Sequence, residues 1–507
     1  MFKKWKVFLI SIVIVLLFII WGIIPENILP NGNLERVTSM IQGFIVNRFG
    51  WFYLISATGF LIFAIYLIFS KYGKIKLGKP EDKPDFSYIS WFSMLFSAGM
   101  GIGLVFWGAA EPLSHFNNPP YGEPGTSEAA KTALQYSFFH WGLHPWAIYA
   151  TVALALAYFK FRKQSSGLVS SILEPLFGDK VKGTLGTVID TIVVFSTVFG
   201  VATSLGFGAI QISGGLSYVF GIDQSIMLQF IIIGIVTVLF LISAMTGVNK
   251  GIKYLSNANL ILAIVLMLVV LFLGPTSFIL DLYTNTIGSY VQNLPSMTLR
   301  MEPFSLENAT WINDWTIFYW AWWIAWAPFV GTFIARVSRG RTIREFVIGV
   351  LLVPTIFGTL WFTVFGGTAI HLEFFEGANI MGQVNALGEG VALFAVLENF
   401  PFGIVLSIVA ILLISVFFIT SADSATFVLG MQTSRGNLNP SNRIKFVWGI
   451  IQSATAAVLL WQGGLAALQT ASVIAALPFS IIMILIVISL LKSFKEEARL
   501  MELKRKK

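Results

Sequence analysis

The chain of 507 residues contains no cysteine. Disulfide bonds, thiol nucleophiles and cysteine-ligated metals are therefore excluded. Charged residues are also scarce, at 11% of the chain, whereas soluble proteins carry about a quarter. Hydrophobic residues make up 56%. This balance excludes an ordinary soluble protein and indicates a polytopic membrane protein.

Motifs for ATP hydrolysis and for metal-dependent catalysis are also missing. There is no G-x-x-x-x-G-K-[ST] phosphate-binding loop, and the segment Gly247-Val248-Asn249-Lys250-Gly251 lacks its spacing. No H-E-x-x-H motif and no catalytic dyad occurs in any apolar stretch. An ATP-driven pump or a membrane enzyme is therefore unsupported, and we expect no cofactor.

Apolar stretches of about twenty residues, the length that crosses a bilayer as a helix, recur twelve times. The sequence therefore predicts an all-α polytopic membrane protein with twelve transmembrane helices. Two further segments, 276–300 and 384–400, are too polar to span and are predicted to lie along the outer surface as helices. The predicted spans are 7–24, 51–69, 88–110, 138–158, 187–208, 226–247, 255–275, 313–335, 346–370, 403–431, 443–462 and 470–491.

The distribution of Lys and Arg predicts the orientation of these spans. If the N-terminus is cytoplasmic, 29 of the 33 basic residues lie on the inner side. Cytoplasmic loops of membrane proteins are enriched in basic residues, so both termini are predicted to be cytoplasmic. The net charge of +8 then reflects topology and contact with anionic lipids, and gives no reason to expect nucleic acid. The four basic residues on the outer side are Arg36, Arg48, Lys131 and Arg300.

Five aromatic residues are concentrated in the eighth span. At about 100° per residue, their rings fall within an arc of roughly 160° on one helix face. Indoles gathered on one face are typical of a cage for a quaternary ammonium group. The alternative is packing alone, although Trp residues that face lipid normally lie at the membrane interface. The five residues are Tyr319, Trp320, Trp322, Trp323 and Trp326.

A second aromatic set lies in the fourth span. Trp141, Trp146 and Tyr149 fall within about 140° of one helix face, which would supply a second wall for the cage. His140 and His144 are four residues apart and suggest a metal site. Without cysteine or a nearby carboxylate to complete the ligands, a metal site is disfavoured.

The third span contains three alternate glycines, Gly99, Gly101 and Gly103. Each costs about 1 kcal/mol relative to Ala in a helix, so the run favours local unwinding. Unwound backbone inside a membrane protein can bind Na⁺ through its carbonyls and a carboxylate through its amides. Close helix packing is the alternative, because Gly99 and Gly103 also form a GxxxG pair. Spacing alone leaves both open.

The tenth span carries the polar run Thr420-Ser421-Ala422-Asp423-Ser424. Hydroxyl oxygens suit a hard cation such as Na⁺. Isolated Thr and Ser residues more often bond back to their own helix, which is the favoured interpretation for Ser196-Thr197 and Thr203-Ser204 in the fifth span. Asp423 is either functional, as most intramembrane acids are, or a member of a structural pair near the cytoplasm.

The basic C-terminal segment has helical periodicity. It is either a solvated end to the last span or a cytoplasmic helix that contacts anionic lipids. In the second case the contact depends on ionic strength, because such attraction fades over a Debye length.

These motifs, with the segment from Arg336 to Phe346, resemble the betaine/choline/carnitine transporter family, most closely its sodium-coupled glycine betaine transporters. The resemblance covers essentially the whole chain. It implies two inverted five-helix repeats of the amino-acid/sodium symporter type after two N-terminal helices, a homotrimer and alternating access. The implied divisions are two N-terminal transmembrane helices in 1–87, the first repeat in 88–275, an outer-surface connecting helix in 276–312, the second repeat in 313–491 and a basic cytoplasmic tail in 492–507.

The resemblance also implies the site residues. Val201 stands where a second hydroxyl of the second sodium site is expected, which puts that site in doubt. The implied substrate-binding residues are Trp141, Trp146, Tyr149, Trp323, Trp326, Gly101 and Gly103, with Trp322 along the transport path. The implied sodium ligands are Ser97, Met100, Phe417, Thr420 and Ser421 for one ion and Thr197 and Phe329 for the other.

The substrate follows from charge. Choline is a cation that an acid in the glycine run would favour, whereas glycine betaine is a zwitterion, and Gly103 here is neutral. The neutral oxygens of Thr420 and Ser421 leave room for a sodium ion. We therefore expect sodium-coupled uptake of glycine betaine across a bacterial plasma membrane for osmoprotection. The alternatives are a carrier of choline, carnitine, proline betaine or ectoine with the same fold, and an osmosensor that binds betaine without transport.

Overall fold

The structure is a computed structural model that describes residues 5–99, 101–246 and 249–505. All regular elements in these ranges are helical, apart from one isolated β-bridge between Lys76 and Thr342. The helices are α1 (Lys6–Ile23), α2 (Leu34–Phe69), α3 (Tyr88–Gly99), α4 (Ile102–Asn117), α5 (Ser127–Trp141), α6 (Leu143–Ala157), α7 (Val169–Ile172), α8 (Glu174–Phe177), α9 (Thr184–Phe220), α10 (Ile226–Thr246), α11 (Asn249–Leu273), α12 (Thr276–Thr298), α13 (Leu306–Ile312), α14 (Phe318–Val337), α15 (Ile343–Phe362), α16 (Thr368–Glu376), α17 (Ile380–Leu387), α18 (Ala392–Leu397), α19 (Gly403–Thr433) and α20 (Asn442–Arg505).

Within the described residues, helix occurs in each of the twelve predicted spans, although fewer helices qualify as membrane-spanning by length and composition. Nine helical stretches are long and apolar enough to cross a membrane. The seventh predicted span lies in α11, which qualifies only together with α12, and the two helices meet at a bend of 108°. The third predicted span is broken into α3 and α4, and the last two are joined in α20. The joint in α20 is a kink at Gly463 and Gly464, where Gly464 adopts a φ of +57°.

The two polar outer segments differ from each other. The first forms one continuous helix, α12, as predicted. The second does not form a single helix: it contains the end of α17, a short 3₁₀ turn and α18. Gly388, with a φ of +93°, separates the first two of these elements. That backbone conformation is accessible mainly to glycine, and it ends α17.

The third and fourth spans are both broken in the middle. Gly101 is extended, with φ −164° and ψ −179°, so the predicted unwinding of the glycine run is confirmed. Met100 lies outside the described residues. The break at Gly142, between α5 and α6, was not predicted. There the Tyr290 hydroxyl of α12 accepts a hydrogen bond from the Leu143 amide at 3.2 Å.

The centre of the molecule is formed by α14 packed between α6 and α9. Small residues permit this close approach. A Cβ atom at Gly331 of α14 would lie 3.0 Å from Val152 of α6, and one at Gly200 of α9 would lie 2.9 Å from the backbone of Ala325. The aromatic face of α14 is therefore enclosed by protein rather than by lipid.

The segment after α14 is tied to the segment before α3. The Gly340 amide donates to the Leu77 carbonyl, and the Leu77 amide donates to the Arg341 carbonyl, both at 2.8 Å. The Arg341 guanidinium lies over the rings of Tyr88 and Trp91, 4.1 and 4.6 Å from their centroids. These contacts fix the start of α3 to the loop between α14 and α15.

The C-terminal segment continues α20 as a helix to Arg505, which confirms its helical periodicity. Glu497 is buried and forms an ion pair with Arg162, at the end of the fourth span. The Tyr158 hydroxyl also donates to Glu497, at 3.1 Å. The tail is therefore attached to the bundle through this carboxylate and through the buried ring of Phe494, which lies 4.9 Å from that of Tyr158.

Candidate functional site

Aromatic rings from α5, α6 and α14 meet at the centre of the bundle. Trp141 and Trp323 lie edge to face with centroids 4.8 Å apart, and Trp323 meets Tyr149 in the same way at 5.7 Å. Tyr149 meets Trp146 at 5.4 Å, and Trp322 stacks on Trp323 at 5.0 Å. We call these five residues the aromatic cage. The structure thus brings together the two aromatic sets that the sequence singled out.

The helices that carry the rings of the fourth span differ from the prediction in one respect. Trp141 is the last residue of α5, whereas Trp146 and Tyr149 belong to α6. The three residues therefore do not share the face of one continuous helix, and the estimate of about 140° does not apply across the break. Tertiary packing around Gly142 brings Trp141 to the other two rings instead.

The five rings of the eighth span divide between different neighbours. Trp322 and Trp323 belong to the cage. Trp320 is fully buried and stacks on the His144 ring at 5.1 Å. The Trp326 indole donates to the Gly200 carbonyl on α9, and its nearest ring is that of Phe329 at 5.1 Å. Among the described contacts Trp326 therefore lies beside the predicted second sodium site rather than in the cage.

Gly103 joins the glycine run to the cage. A Cβ atom there would overlap the Trp322 indole and lie 3.3 Å from Cη2 of Trp141. A Cβ atom at Gly101 would meet nothing within 4 Å. The backbone is therefore unwound at Gly101, and Gly103 permits close packing, but Gly99 and Gly103 do not form a GxxxG pair on one helix, because α3 ends at Gly99 and α4 begins at Ile102.

Two polar atoms of the cage lack partners. The Tyr149 hydroxyl and the Trp322 indole nitrogen are buried and form no hydrogen bond with any described residue. Buried polar groups in native proteins nearly always have a partner, whether protein, water or ligand. Both groups can donate, so the cage offers two hydrogen-bond donors to an occupant with acceptor atoms.

The helix that carries Phe417, Thr420 and Ser421, α19, packs against α4 and α9. A Cβ atom at Gly208 of α9 would be 3.0 Å from Phe418 of α19 and 3.2 Å from Ile102 of α4. The Thr420 hydroxyl donates to the Val416 carbonyl of its own helix at 2.9 Å. The Ser421 hydroxyl has no hydrogen-bond partner in the described part of the chain and is half-buried.

The other three residues of the first predicted sodium site give less information about its geometry. Ser97 is half-buried near the end of α3, and the Phe417 side chain is buried on α19. Met100 cannot be placed, since it lies outside the described residues. The structure therefore brings the two helices of the first site close together without showing a ring of oxygen atoms.

The second predicted sodium site presents no free oxygen. The Thr197 hydroxyl is fully buried and donates to the Val193 carbonyl of its own helix at 2.8 Å. Val201, one turn further along α9, is also buried and apolar. Phe329 is buried on α14. Back-bonding is therefore confirmed for Thr197, whereas the prediction is wrong for Ser196, whose hydroxyl donates to the Ala325 carbonyl of α14 at 3.5 Å.

A buried carboxylate behind the cage was missed by the sequence analysis. Glu111 of α4 is fully buried, and its Oε1 atom accepts hydrogen bonds from His115 Nε2 at 3.1 Å and His140 Nδ1 at 2.7 Å. Its Oε2 atom accepts from the Trp141 indole and the Tyr319 hydroxyl, each at 2.6 Å. Glu111 lies one residue beyond the predicted third span, in the buried helix α4, and an acidic residue at the edge of an apolar span is itself a signal of function.

The expectation that no carboxylate lies near His140 is therefore wrong. Ligand atoms of Glu111, His115 and His140 lie within 4.8 Å of one another, a spacing that could hold a metal ion. Each of these atoms already takes part in a hydrogen bond, and His140 Nε2 is bonded to the Thr316 hydroxyl at 2.9 Å. His144 is not a member, because its Nε2 atom bonds to Thr298. The geometry is that of a hydrogen-bonded cluster.

Comparisons with known proteins cover the whole of this site. Residues 6–499 match the family described as BCCT, betaine/carnitine/choline family transporter. The glycine betaine transporter OpuD of Bacillus subtilis is 56% identical over 97% of this chain and 95% of its own. A probable glycine betaine transporter of Desulfitobacterium hafniense is 45% identical over 98% of both chains. An ectoine/hydroxyectoine transporter of Virgibacillus pantothenticus is 47% identical over 95% of each.

Proposed function

The chain belongs to the betaine/carnitine/choline family of transporters, and we propose that it imports glycine betaine with sodium ions by alternating access. It is a multi-pass membrane protein and not an enzyme. The observation that carries the proposal is the aromatic cage, in which rings from three helices approach within 4.8 to 5.7 Å of one another. A quaternary ammonium group has no N–H to donate, so cation–π attraction is its main means of specific recognition.

In this proposal Trp141, Trp146, Tyr149 and Trp323 hold the trimethylammonium group. Gly101 and Gly103 provide backbone close to the substrate. Trp326 lies towards the carboxylate, and Trp322 lines the path to the cytoplasm.

A zwitterion fits this site better than choline does. The unpartnered Tyr149 hydroxyl and Trp322 indole N–H would donate to a substrate carboxylate, which choline lacks. An acid in place of Gly103 would have to displace the Trp322 indole. Glycine betaine transport is also the activity named for the relatives in Bacillus subtilis and Desulfitobacterium hafniense.

Sodium coupling is the second part of the proposal. We place the first ion between the glycine run and α19, with Ser97, Met100, Phe417, Thr420 and Ser421 as its surroundings. The second ion would lie at Thr197 and Phe329. Each ion that moves inward through 100 mV supplies about 2.3 kcal/mol, equivalent to roughly fiftyfold accumulation of substrate. Such accumulation suits an osmoprotectant.

The proposed setting is a bacterial plasma membrane. The bias of basic residues supports cytoplasmic termini. We further propose two inverted five-helix repeats, assembly as a homotrimer and contact of the basic tail with anionic lipids.

Uptake of radiolabelled glycine betaine into cells that lack other osmolyte carriers tests the proposal. We expect uptake that depends on external Na⁺ and is inhibited most strongly by unlabelled glycine betaine. Choline, carnitine, proline betaine and ectoine serve as competitors, and the ectoine/hydroxyectoine relative makes ectoine the most informative of them. Uptake that is unchanged when Na⁺ is replaced by K⁺ would overturn the sodium coupling. Binding without counterflow in proteoliposomes would indicate a sensor instead of a carrier.

A further inference from the structure

The carboxylate of Glu111 is held by four hydrogen-bond donors from three helices. Two are the imidazoles of His115 and His140, and two are the aromatic side chains of Trp141 and Tyr319. All five residues are at least nine-tenths buried. An ionised carboxylate has about four lone-pair sites, so these donors match its capacity. The Trp141 indole N–H can only donate, and it requires an acceptor at the nearest oxygen atom.

The hydrogen-bond partners also assign the charge of this cluster. His140 donates from Nδ1 to Glu111, and its Nε2 atom accepts from the Thr316 hydroxyl, so one proton on the ring satisfies both bonds. His115 donates from Nε2, and its Nδ1 atom has no partner among the described residues, so a second proton there would be left unbonded. On this assignment both imidazoles are neutral, and the cluster carries the single negative charge of Glu111.

Two aromatic rings connect this charge to the cage. Trp141 is itself a cage residue, and its ring lies 4.8 Å from that of Trp323. Tyr319 lies behind the cage, with its ring nearly parallel to that of Trp323 at 6.2 Å. Glu111 is bonded to the polar edge of both rings, so a single ring, that of Trp141, separates the carboxylate from Trp323 of the cage.

We propose that Glu111 tunes the cage for a cation by polarising Trp141 and Tyr319 through their hydrogen bonds. Cation–π attraction is electrostatic and increases with the negative charge on the ring face. A hydrogen bond from a ring N–H or O–H to an anion shifts electron density towards the face, because hydrogen-bonded groups in a low dielectric polarise one another. Glu111 is thus a positioning residue that acts on the substrate through the rings and makes no contact with it.

This inference rests on the proposed function, and it predicts selectivity rather than affinity alone. Glycine betaine and 3,3-dimethylbutanoate have the same shape and the same carboxylate, but the second has carbon in place of the quaternary nitrogen. A role of Glu111 in holding the rings in place would affect both ligands equally. A role of its charge would weaken the binding of betaine, which carries the quaternary ammonium group, and not that of the isostere.

The test measures the dissociation constants of both ligands for the purified full-length protein in proteoliposomes at saturating Na⁺, by intrinsic tryptophan fluorescence. Glu111→Gln keeps the side-chain volume and an oxygen acceptor for Trp141 but removes the charge. We expect betaine to bind about tenfold more weakly and the affinity of the carbon isostere, an anion without the ammonium charge, to fall by less than about twofold, a differential effect of about 1 kcal/mol or more. Equal loss for the two ligands, or no loss for either, would overturn the proposal.

Tyr319→Phe provides a second variant that does not depend on the stability of Glu111→Gln. It keeps the ring and removes one hydrogen bond to the carboxylate, so the preference for betaine over the isostere should fall about threefold. An unchanged preference would count against the proposal. Glu128→Gln is the matched control, because Glu128 is an exposed acid on α5 that pairs with Lys131. The preference of this variant for betaine over the isostere should equal that of the wild type. If the wild type binds no betaine, the proposed function fails instead.

Discussion

The aromatic cage and the predicted sodium positions differ in how far they are already assembled. Cage rings from three helices are in mutual contact, and one of them is fixed by a buried carboxylate. By contrast, the hydroxyls of Thr420 and Thr197 donate to carbonyls of their own helices. The comparison teaches that large rings can build a site by packing alone, whereas hydroxyl oxygens must first be released from the backbone.

The physical reason lies in the available partners. An aromatic pair gains about 0.5 to 1.5 kcal/mol beyond the area that it buries, so rings that meet remain together. A buried hydroxyl left without a partner costs about 1 to 3 kcal/mol, and the carbonyl one turn earlier in the helix is the nearest acceptor. A hydroxyl that binds sodium turns its oxygen lone pairs to the ion. Ser421, which has no such bond in the described structure, is then the best prepared of the three hydroxyls.

The largest expected effect is in the cage. Trp323→Leu removes the ring that meets Trp141 and Tyr149, and a desolvated cation–π contact is worth about 2 kcal/mol or more, so betaine affinity should fall at least about thirtyfold. The loss should be the same at high and low Na⁺. Equilibrium binding measures it. Trp320→Leu is the control from the same helix. Because Trp320 packs on His144 outside the cage, the folded Trp320→Leu variant should keep its affinity for betaine. Unchanged affinity in Trp323→Leu would mean that this indole only packs.

A smaller effect is expected at the first sodium position. Ser421→Ala removes a free oxygen, and a polar contact with a charged group is worth about 1.5 to 3 kcal/mol, so the Na⁺ concentration for half-maximal uptake should rise about tenfold or more. Betaine affinity at saturating Na⁺ should remain close to that of the wild type. Ser415→Ala is the matched control, because that hydroxyl on α19 bonds to the Ile411 carbonyl. Equal sodium curves for Ser421→Ala and the wild type would remove Ser421 from the site.

Removal of a hydroxyl at the second sodium position should change the sodium requirement of uptake less than removal at the first. Thr197→Val keeps the shape and removes a hydroxyl that is already bonded to Val193, so the sodium requirement should change by less than about threefold. Val201→Thr would add the missing hydroxyl and should steepen the dependence of uptake on Na⁺. A loss in Thr197→Val as large as that in Ser421→Ala would show that both positions bind sodium equally and would break the contrast drawn between them.

The smallest effect on betaine affinity is expected outside both regions. Deletion of Glu496 to Lys507 removes the ion pair between Glu497 and Arg162, so betaine binding should change by less than about twofold while osmotic activation is blunted. Glu497→Gln should reproduce the effect and the exposed Glu496→Gln should not. Uptake at increasing external osmolality measures the activation. Curves that coincide with that of the wild type would separate the tail from regulation.

Several parts of the site could be predicted because their signals are local. Alternate glycines weaken a helix wherever it lies, and Gly101 is indeed extended. Four Trp residues within seven positions must share a restricted arc, and two of them do enter the cage. Gly142 and Pro145 also give a local signal for a break, since Pro145 cannot donate to the Trp141 carbonyl, but the hydrogen bond at the break from the Leu143 amide to Tyr290 joins residues 147 positions apart and has no local signal.

The sequence by itself determined the class of protein, the positions of its apolar helices and the two aromatic sets, since hydropathy and helical periodicity act over one or two turns of chain. Only the tertiary structure decided which rings meet and which hydroxyls are free. It also revealed the carboxylate behind the cage, because the four donors to Glu111 come from three different helices. Hydrogen bonds between distant segments depend on packing in three dimensions, and no local pattern in the chain records them.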